Sequence, residues 1–353
     1  MPDAIPHEAL ARAVRAAFGA RIVGAQPLFG DASSRRYVRL HLAGGGAPPT
    51  AVAMLLGADR FPLGSDEIGE RALTKDLPFV DVGRYLAARG FAVPLIHHDA
   101  SATDSLLLLE DLGDTTLWAA ASARPADARP LFAAAVELLA ALQVAGARHP
   151  DPSCLAFRRR FDGQLARWEL EHFLEHGIET RHGRRLAADE RAGLLAALAP
   201  LAEPFEQRAP VLVHRDFMAW NLHVQDGRLR LLDFQDALLG PDAYDLAALL
   251  TDRTTGTLVA PDLERELIAH FRAARAAAAL PVDGDLAARY RLCALHRALK
   301  VIGRFYYLER VLGKAGYLAY LPGVYAVARR MLAALPALES VRARLATHVP
   351  ELA

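Results

Sequence analysis

The sequence predicts an α+β fold with two lobes, in which a small antiparallel β-sheet lobe precedes a larger, mainly helical lobe. Short apolar runs of strand length occupy the first third of the chain, whereas helical spacing of apolar residues dominates the rest. The change occurs at residues 111–113, so we expect an N-terminal lobe over 1–112 and a C-terminal lobe over 113–353. A chain of 353 residues is long enough for each lobe to have its own core.

The N-terminal lobe is predicted to contain two helices and five strands. Helical periodicity covers residues 6–18 and 77–89, and Gly90 is a stop signal for the second helix. Residues 57–75 have the composition of an irregular surface loop. The strands are expected in five short apolar runs: 22–29, 36–42, 51–56, 93–98 and 105–110.

The C-terminal lobe is predicted to be helical apart from one compact region of strands. In that region Asp226-Gly227 joins two alternating runs, Leu222–Gln225 and Arg228–Leu232, a pattern typical of a β-hairpin. Helical spacing covers four longer stretches: 128–145, 158–176, 187–207 and most of 262–347.

Charge and composition restrict the possible partners and the compartment. Lys+Arg and Asp+Glu balance at 41 each, so the chain lacks the basic field typical of nucleic-acid-binding proteins. There is no signal-peptide pattern, and no uninterrupted apolar run approaches the roughly 20 residues of a membrane span. Cys154 and Cys293 lack metal-like spacing, and we expect two buried thiols. We therefore expect a monomeric cytoplasmic protein with a small-molecule substrate and no nucleic-acid or membrane partner.

The most informative segment follows a short apolar strand. The tripeptide His-Arg-Asp at 214–216 is followed by Asn221, five positions after Asp216. Asp233 follows twelve residues later, at the end of the hairpin. This spacing matches the catalytic loop and metal-binding Asp of protein kinases.

The residue types in this segment suit phosphoryl transfer. Asn221 and Asp233 offer the hard oxygen ligands that Mg²⁺ prefers, and Asp216 can accept a hydrogen bond from an attacking hydroxyl. The alternative is a buried turn whose polar side chains only satisfy backbone groups. The joint pattern, with its strand and hairpin, favours the catalytic interpretation.

Two more carboxylates follow in the same region. Asp236, three residues past Asp233, either adds to the metal or substrate site or caps the next segment. Asp245 is expected to brace the catalytic loop by hydrogen bonding rather than to contact substrate.

The N-terminal lobe is expected to hold the nucleotide. Ser33 and Ser34 lie in a turn between two strands, where backbone N–H groups can cradle phosphates, although a plain polar turn is the alternative. Glu110 and Leu112 lie in a hinge whose backbone groups can meet an adenine edge.

The third strand departs from the usual kinase pattern. Kinases place a Lys there to hold the α- and β-phosphates, but Met54 occupies this strand. Lys75 lies in the loop beyond it and is a poor substitute. Arg36 or Arg39, on the strand after the Ser-rich turn, is predicted to supply the charge instead.

Taken together, the sequence resembles the aminoglycoside phosphotransferase-like kinase superfamily over nearly the whole chain. Within it, the chain is most similar to the bacterial anomeric kinases of N-acetylmuramate and N-acetylglucosamine. Five segments carry the resemblance: GDASSRRYVRL (30–40), LLLEDLGDTTL (107–117), HRDFMAWNL (214–222), LLDFQDALLGPDAYDL (231–246) and LHRALKVIGRFYYL (295–308).

The resemblance implies a protein-kinase-like fold and a sugar kinase that uses ATP and Mg²⁺. It implies Asp216 as the catalytic base, with Asn221 and Asp233 as Mg²⁺ ligands. In such enzymes ATP phosphorylates the C1 hydroxyl of the sugar, and the product enters peptidoglycan recycling. The absence of the third-strand Lys also fits this subfamily.

Two further features are candidates for sugar binding. Arg297, Lys300 and Arg304 share one helix face and can bind the lactyl carboxylate of N-acetylmuramate, or they form a solvated charged face. Trp220, beside Asn221, is the best candidate to stack on a sugar ring.

Competing functions are kinases of aminoglycosides, choline-like alcohols or homoserine, and a non-catalytic nucleotide-binding regulator. The basic helix face counts against a polycationic substrate, and no aromatic cage for a quaternary ammonium is evident. Retention of the Asp216, Asn221 and Asp233 pattern counts against the regulator.

Overall fold

The computed structural model describes residues 5–28, 35–57, 77–206, 209–281 and 284–353. The chain divides into two compact units. The first comprises Met1–Asp114 and Arg230–Gln235, and the second comprises Thr115–Leu229 and Asp236–Ala353. The predicted phosphate turn with Ser33 and Ser34, and nearly all of the predicted loop over 57–75, lie outside the described residues.

The first unit contains one antiparallel sheet of five strands, as the sequence predicts, and the structure shows their order to be β1-β2-β3-β5-β4. Helix α1 (His7–Phe18) precedes it, and α2 (Pro78–Ala88) lies between β3 and β4. The strands are β1 (Arg21–Leu28), β2 (Arg36–Ala43), β3 (Thr50–Leu55), β4 (Ile96–Ala100) and β5 (Leu106–Glu110).

The two faces of this sheet carry different residues. Leu10 and Val14 of α1 are fully buried in an apolar core that also contains Leu40 and Leu108 of the sheet. Side chains alternate between the faces of a strand. Met54 therefore lies on the opposite face, in register with its neighbours on β2 and β5, and is 1% exposed. Met54, on the strand where kinases place a Lys, is thus a buried apolar residue.

Strand β4 begins later than the sequence predicts. The expected strand over 93–98 is observed from Ile96. Pro94 has no N–H to donate to a sheet ladder, which accounts for the difference.

The second unit is mainly helical, as predicted, and α5 begins five residues after the expected position 158. Asp162 caps it by accepting a hydrogen bond from the Leu165 N–H at 3.0 Å. The helix continues as a π-helical segment over Phe173–Thr180. The helices are α3 (Leu117–Ala123), α4 (Ala128–Arg148), α5 (Gly163–His172), α6 (Ala188–Leu198), α7 (Tyr244–Leu250), α8 (Pro261–Ala277), α9 (Leu286–Tyr306), α10 (Leu321–Ala333) and α11 (Glu339–Ala346).

Segment Pro125–Arg148, which contains α4, is long and apolar enough to cross a membrane when judged by length and composition alone. In the structure Phe132, Val136 and Leu139 of α4 are fully buried in the second unit. This is the packing of a core helix.

Short elements frame the catalytic-loop segment. Strand β6 (Val211–Val213) pairs with β9 (Leu238–Gly240), which the sequence did not predict. The predicted hairpin is confirmed as β7 (Leu222–Gln225) and β8 (Arg228–Leu231). Its central residues Asp226 and Gly227 have φ values of 50° and 72°, as a type I′ turn requires. Both cysteines are free and buried, as predicted.

Candidate active site

The predicted catalytic loop follows β6 directly and is held by a buried carboxylate. Asp245, on α7 and 0% exposed, accepts hydrogen bonds from the backbone N–H groups of His214 at 2.6 Å and Arg215 at 3.0 Å. Arg215 has a φ of 77°, which a residue with a side chain rarely adopts. The two bonds therefore offset backbone strain where the loop begins, and the bracing role predicted for Asp245 is confirmed.

The loop brings Asp216 and Asn221 together. The Asn221 side-chain N–H donates to the Asp216 carbonyl oxygen at 2.9 Å, and Met218 closes the turn by donating its N–H to the same carbonyl group at 2.9 Å. Among the described residues, the amide oxygen of Asn221 accepts no hydrogen bond. That oxygen is thus oriented and available to a ligand.

Asp216 lies in a positive environment. Its side chain is 34% exposed, and its carboxylate lies 3.7 Å from the Arg297 guanidinium. Burial by itself raises the pKa of Asp216, but the nearby charges of Arg297 and Lys300 outweigh burial and hold the pKa below its ordinary value. The carboxylate is therefore ionised at neutral pH.

Arg297 is buried rather than solvated. Its side chain is 7% exposed and donates to the Arg215 carbonyl and the Tyr244 hydroxyl at 3.4 Å. A third nitrogen contact lies 2.8 Å from the sulfur of Met218. The alternative that this face of α9 is a solvated charged surface is therefore wrong for Arg297.

Lys300 belongs to a buried ion cluster centred on Glu169 of α5. The Glu169 carboxylate lies 2.5 Å from the Lys300 ammonium and 3.2 Å from the Arg215 guanidinium. Burial alone raises the pKa of Glu169, but the charges of Lys300 and Arg215 prevail and lower it to about 2. The predicted substrate residues Arg297 and Lys300 are thus held, through Arg215, in one network with the catalytic loop.

Sequence reasoning missed Glu169. A signal for it exists, because Glu169 lies on the apolar face of α5 that Leu165 and Phe173 also occupy, four residues to either side. An acid in such a stripe predicts a buried cationic partner.

Trp220 stacks on Trp118, with ring centroids 4.3 Å apart and planes 17° apart. Its indole N–H donates to the Thr254 hydroxyl at 2.9 Å. Trp118 therefore covers one face of Trp220, so sugar stacking on the half-buried Trp220 would use the other face. That role stays a prediction.

Asp233 belongs to the first unit, where its backbone is strained. Its φ is 60°, and one carboxylate oxygen accepts a hydrogen bond from the Gln235 amide at 2.8 Å. The next residue, Phe234, stacks on Phe79 of α2 at 4.8 Å. Burial and the charge of Asp233 raise the pKa of Tyr37, whereas Arg35 lowers it. Asp233 therefore lies near the face of the sheet that carries Tyr37 and its strand partner Met54.

Asp236, predicted for the substrate site, is half-buried. Within the described ranges, its carboxylate forms no hydrogen bond or ion pair. Asp236 is thus available to a ligand, which leaves both of its predicted roles open.

The predicted nucleotide residues of the first unit fall into two groups. Arg39 is bound to the carboxylates of Asp111 at 2.6 Å and Asp114 at 2.8 Å, so its charge is already compensated. Arg36 is exposed at the start of β2 and stays the predicted phosphate contact.

Of the two predicted hinge residues, Glu110 is hydrogen-bonded to described residues and Leu112 is not. The Glu110 carboxylate lies 2.5 Å from Arg230, and the Glu110 N–H donates to the Leu95 carbonyl. Leu112 is buried, and its backbone groups form no hydrogen bond with a described residue. Those groups of Leu112 suit the adenine edge better than the N–H of Glu110.

The donor set fits a magnesium ion. An oriented amide oxygen at Asn221 and a carboxylate at Asp233 are hard ligands, and Mg²⁺ binds few protein groups while keeping several waters. Asn221 and Asp233 therefore each offer the kind of ligand atom that Mg²⁺ prefers.

Comparison with known proteins identifies the family of this chain. The profile of a family described as "Phosphotransferase enzyme family" matches residues 25–280. A Caulobacter vibrioides protein named N-acetylmuramate/N-acetylglucosamine kinase is 32% identical over 374 aligned positions, covering 97% of each chain. A Pseudomonas putida protein of the same name is 34% identical over 269 positions, covering 74% of each chain.

Among solved structures, an ADP-bound aminoglycoside phosphotransferase has a TM-score of 0.56 at 14% identity, covering 92% of this chain and 97% of its own. This likeness confirms the protein-kinase-like fold class. The chain belongs to the phosphotransferase enzyme family.

Proposed function

We propose that this protein is a sugar kinase that transfers the γ-phosphoryl group of ATP to the anomeric C1 hydroxyl of N-acetylmuramate and N-acetylglucosamine. The names of the relatives at 32% and 34% identity support the choice of sugars. The product is a sugar 1-phosphate, which we assign to peptidoglycan recycling in the cytoplasm.

One observation carries the catalytic part of the proposal: Asp216 lies on a braced loop and its carboxylate is 3.7 Å from Arg297. Because this charge lowers the pKa of Asp216, the carboxylate is ionised and can accept the hydrogen bond of a sugar hydroxyl. It is a weak base, and an anomeric hydroxyl, being more acidic than an ordinary alcohol, needs orientation more than strong deprotonation.

In the proposed reaction, the C1 oxygen forms a bond to the γ-phosphorus while the bond between that phosphorus and the ADP oxygen breaks. The hydroxyl proton moves to Asp216 and is later released to solvent. Arg297 keeps Asp216 ionised before transfer and oriented through the Arg215 carbonyl.

We propose that Asn221 and Asp233 hold Mg²⁺, which would neutralise charge on the phosphate oxygens. The nucleotide itself would be bound by Ser33, Ser34 and Arg36 at the phosphates. Backbone groups at Glu110 and Leu112 would meet the adenine, and the unbonded groups of Leu112 support this assignment.

The sugar is proposed to lie against Trp220 and Asp236, with Arg297 and Lys300 on the acceptor side. Both cations already have protein carboxylate neighbours, Asp216 and Glu169. We therefore expect Arg297 and Lys300 to attract the lactyl carboxylate by longer-range electrostatics rather than by direct hydrogen bonds.

The test is a substrate panel with purified protein, ATP and Mg²⁺, followed by ³¹P NMR. N-acetylmuramate and N-acetylglucosamine should give an anomeric phosphate signal, whereas galactosamine, choline, homoserine and kanamycin should not. Asp216→Asn should abolish turnover and retain ATP binding, and the exposed hairpin variant Asp226→Asn should behave as wild type. A phosphate on any other hydroxyl, or full activity in Asp216→Asn, would contradict the proposal.

A further inference from the structure

A second group of potential ligands lies in the second unit, on the turn where α5 becomes π-helical. His172, Glu175 and His176 each offer one ligand atom there, and these atoms all lie within 4.8 Å of one another. Residues three and four apart share one face of a helix, which explains the convergence. Two imidazoles and one carboxylate form the ligand set of many three-residue zinc sites.

One ring nitrogen of His172 is buried. Among the described residues its Nε2 atom has no hydrogen-bond partner. Trp168 stacks on one side of the ring and Tyr307 contacts its edge, both with centroids 5.4 Å away, so the ring orientation is fixed by packing. A buried polar atom without a partner calls for an unseen ligand.

His176 is held in one tautomer by its neighbours. Its Nδ1 atom lies 3.0 Å from the Thr180 hydroxyl, which donates its single proton to the Glu175 carbonyl at 3.0 Å. The hydroxyl must therefore accept from Nδ1–H, and Nε2 carries the lone pair. Metal-binding histidines are commonly oriented in this way, by a hydrogen bond from the ring N–H that does not face the metal.

The lone pair of His176 points toward another acceptor. Its Nε2 atom lies 3.8 Å from a Glu175 carboxylate oxygen. Two acceptors at this separation repel each other unless a proton or a cation lies between them.

The surrounding charges select the kind of ion. Arg304 and Lys300 both act electrostatically on His172. The positive charges of Arg304 and Lys300 disfavour a hard cation held by electrostatics alone. Imidazole nitrogens instead prefer borderline transition metals.

We propose that His172, Glu175 and His176 bind one divalent transition metal ion of the Zn²⁺ class, separate from the ATP-dependent chemistry. The fourth position would be filled by water or another small ligand. Metal–ligand distances of about 2 Å require ligand atoms roughly 3.4 Å apart in a tetrahedral site. Glu175, 46% exposed, can move by the necessary ångström.

The test uses tag-free, full-length protein freed of metal and titrated with Co²⁺ in the presence of excess Mg²⁺. Wild type should bind one Co²⁺ per chain with the intense visible absorption of four-coordinate cobalt, and Zn²⁺ should bleach it. His172→Asn and His176→Asn should each weaken binding by at least about 100-fold, and Thr180→Val by about 10-fold. Glu175→Gln, at a half-exposed position, provides a ligand variant with little risk to folding.

The matched control is His270→Asn, because His270 also pairs with a glutamate, Glu137 at 3.0 Å, and neither residue belongs to the proposed site. It should bind Co²⁺ as wild type does. The proposal is overturned if wild type shows only the weak absorption of six-coordinate cobalt. It is equally overturned if Glu175→Gln and the histidine variants bind as tightly as His270→Asn.

Discussion

The guanidinium of Arg297 lies 3.7 Å from the carboxylate of Asp216, and Arg297 also donates to the carbonyl of the residue before Asp216. One buried cation thus acts on both the charge and the backbone of the predicted catalytic residue. Because the Arg297 side chain is 7% exposed, solvent screens this pair weakly. We therefore expect Arg297 to be coupled to catalysis.

Replacing Arg297 by Met should raise the pKa of Asp216, because it removes the positive charge nearest to it. The acidic limb of the profile of kcat/KM against pH should move to higher pH, and kcat/KM at neutral pH should fall about 10- to 100-fold. Arg291→Met, on the same helix, is the control and should not change the pH of the acidic limb. An unchanged acidic limb in Arg297→Met would refute the coupling.

Replacing Glu169 by Gln should destabilise the second unit strongly. The substitution leaves the buried Arg215 and the half-buried Lys300 without the carboxylate of Glu169, and breaking a buried ion pair costs about 3–5 kcal/mol. Urea unfolding measures the loss. Glu171→Gln, two residues away and exposed, should stay within about 0.5 kcal/mol of wild type.

The same pair of variants has a pH signature. The Glu169 pKa falls from 4.5 in the unfolded chain to about 2 in the fold, so its ionisation stabilises the protein above pH 4.5. This contribution is lost as the pH falls from 4.5 to about 2. Glu169→Gln should therefore show a flatter decline of unfolding free energy in that window than Glu171→Gln does. Parallel declines would show that Glu169 does not titrate as described.

Replacing Asp245 by Asn should loosen the catalytic loop. An amide offers one acceptor oxygen where the carboxylate accepts from both His214 and Arg215, so one buried N–H loses its partner. We expect a stability loss of about 1–3 kcal/mol and a fall in kcat. Thermal melts and steady-state kinetics measure the two effects, with the exposed Asp262→Asn as the control.

The contribution of Asp245 to stability depends on pH with a sign opposite to that of Glu169. Burial raises the pKa of Asp245 from 3.8 to about 7, against the two backbone hydrogen bonds that lower it. The folded state thus binds this proton more tightly, and stability from this group decreases as the pH rises from 3.8 to 7. Asp245→Asn should lack that decrease, and an identical slope in wild type and variant would count against the assignment.

Replacing Gly303 by Ala should separate α9 from the π-helical segment. A Cβ at Gly303 would lie 2.8 Å from the Cα of Phe173 and 3.1 Å from the carbonyl oxygen of His172, both backbone atoms. We expect a loss of about 1–3 kcal/mol from overpacking. Gly256→Ala, where a Cβ meets nothing within 4 Å, is the matched control in the same denaturation experiment. Equal stability of both variants would contradict the close packing.

Sequence patterns predicted the elements whose conformation is set by residues close together in the chain. The hairpin at Asp226-Gly227 is confirmed, because the turn residues themselves require positive φ. Strand β9 and helices α3 and α7 were missed. A three-residue strand is defined by its partner β6 rather than by its own periodicity.

In the candidate site, too, some residues could be predicted from the sequence and others could not. Asp216, Asn221 and Asp233 were recognisable from spacing, and Asp245 from its position after the motif. Glu169 was not recognised, because its partners Arg215 and Lys300 lie 46 and 131 positions away in the sequence. Arg297 was identified as a cation, but its burial beside Asp216 was not foreseen.

By itself, the sequence determined most of the strands and helices and the positions of the candidate phosphoryl-transfer residues, since periodicity, turn chemistry and motif spacing are encoded locally. Tertiary structure alone decided which charges are buried, which are paired and which pKa values move. These properties depend on desolvation and on charges only a few ångströms apart in space, and residues far apart along the chain supply both.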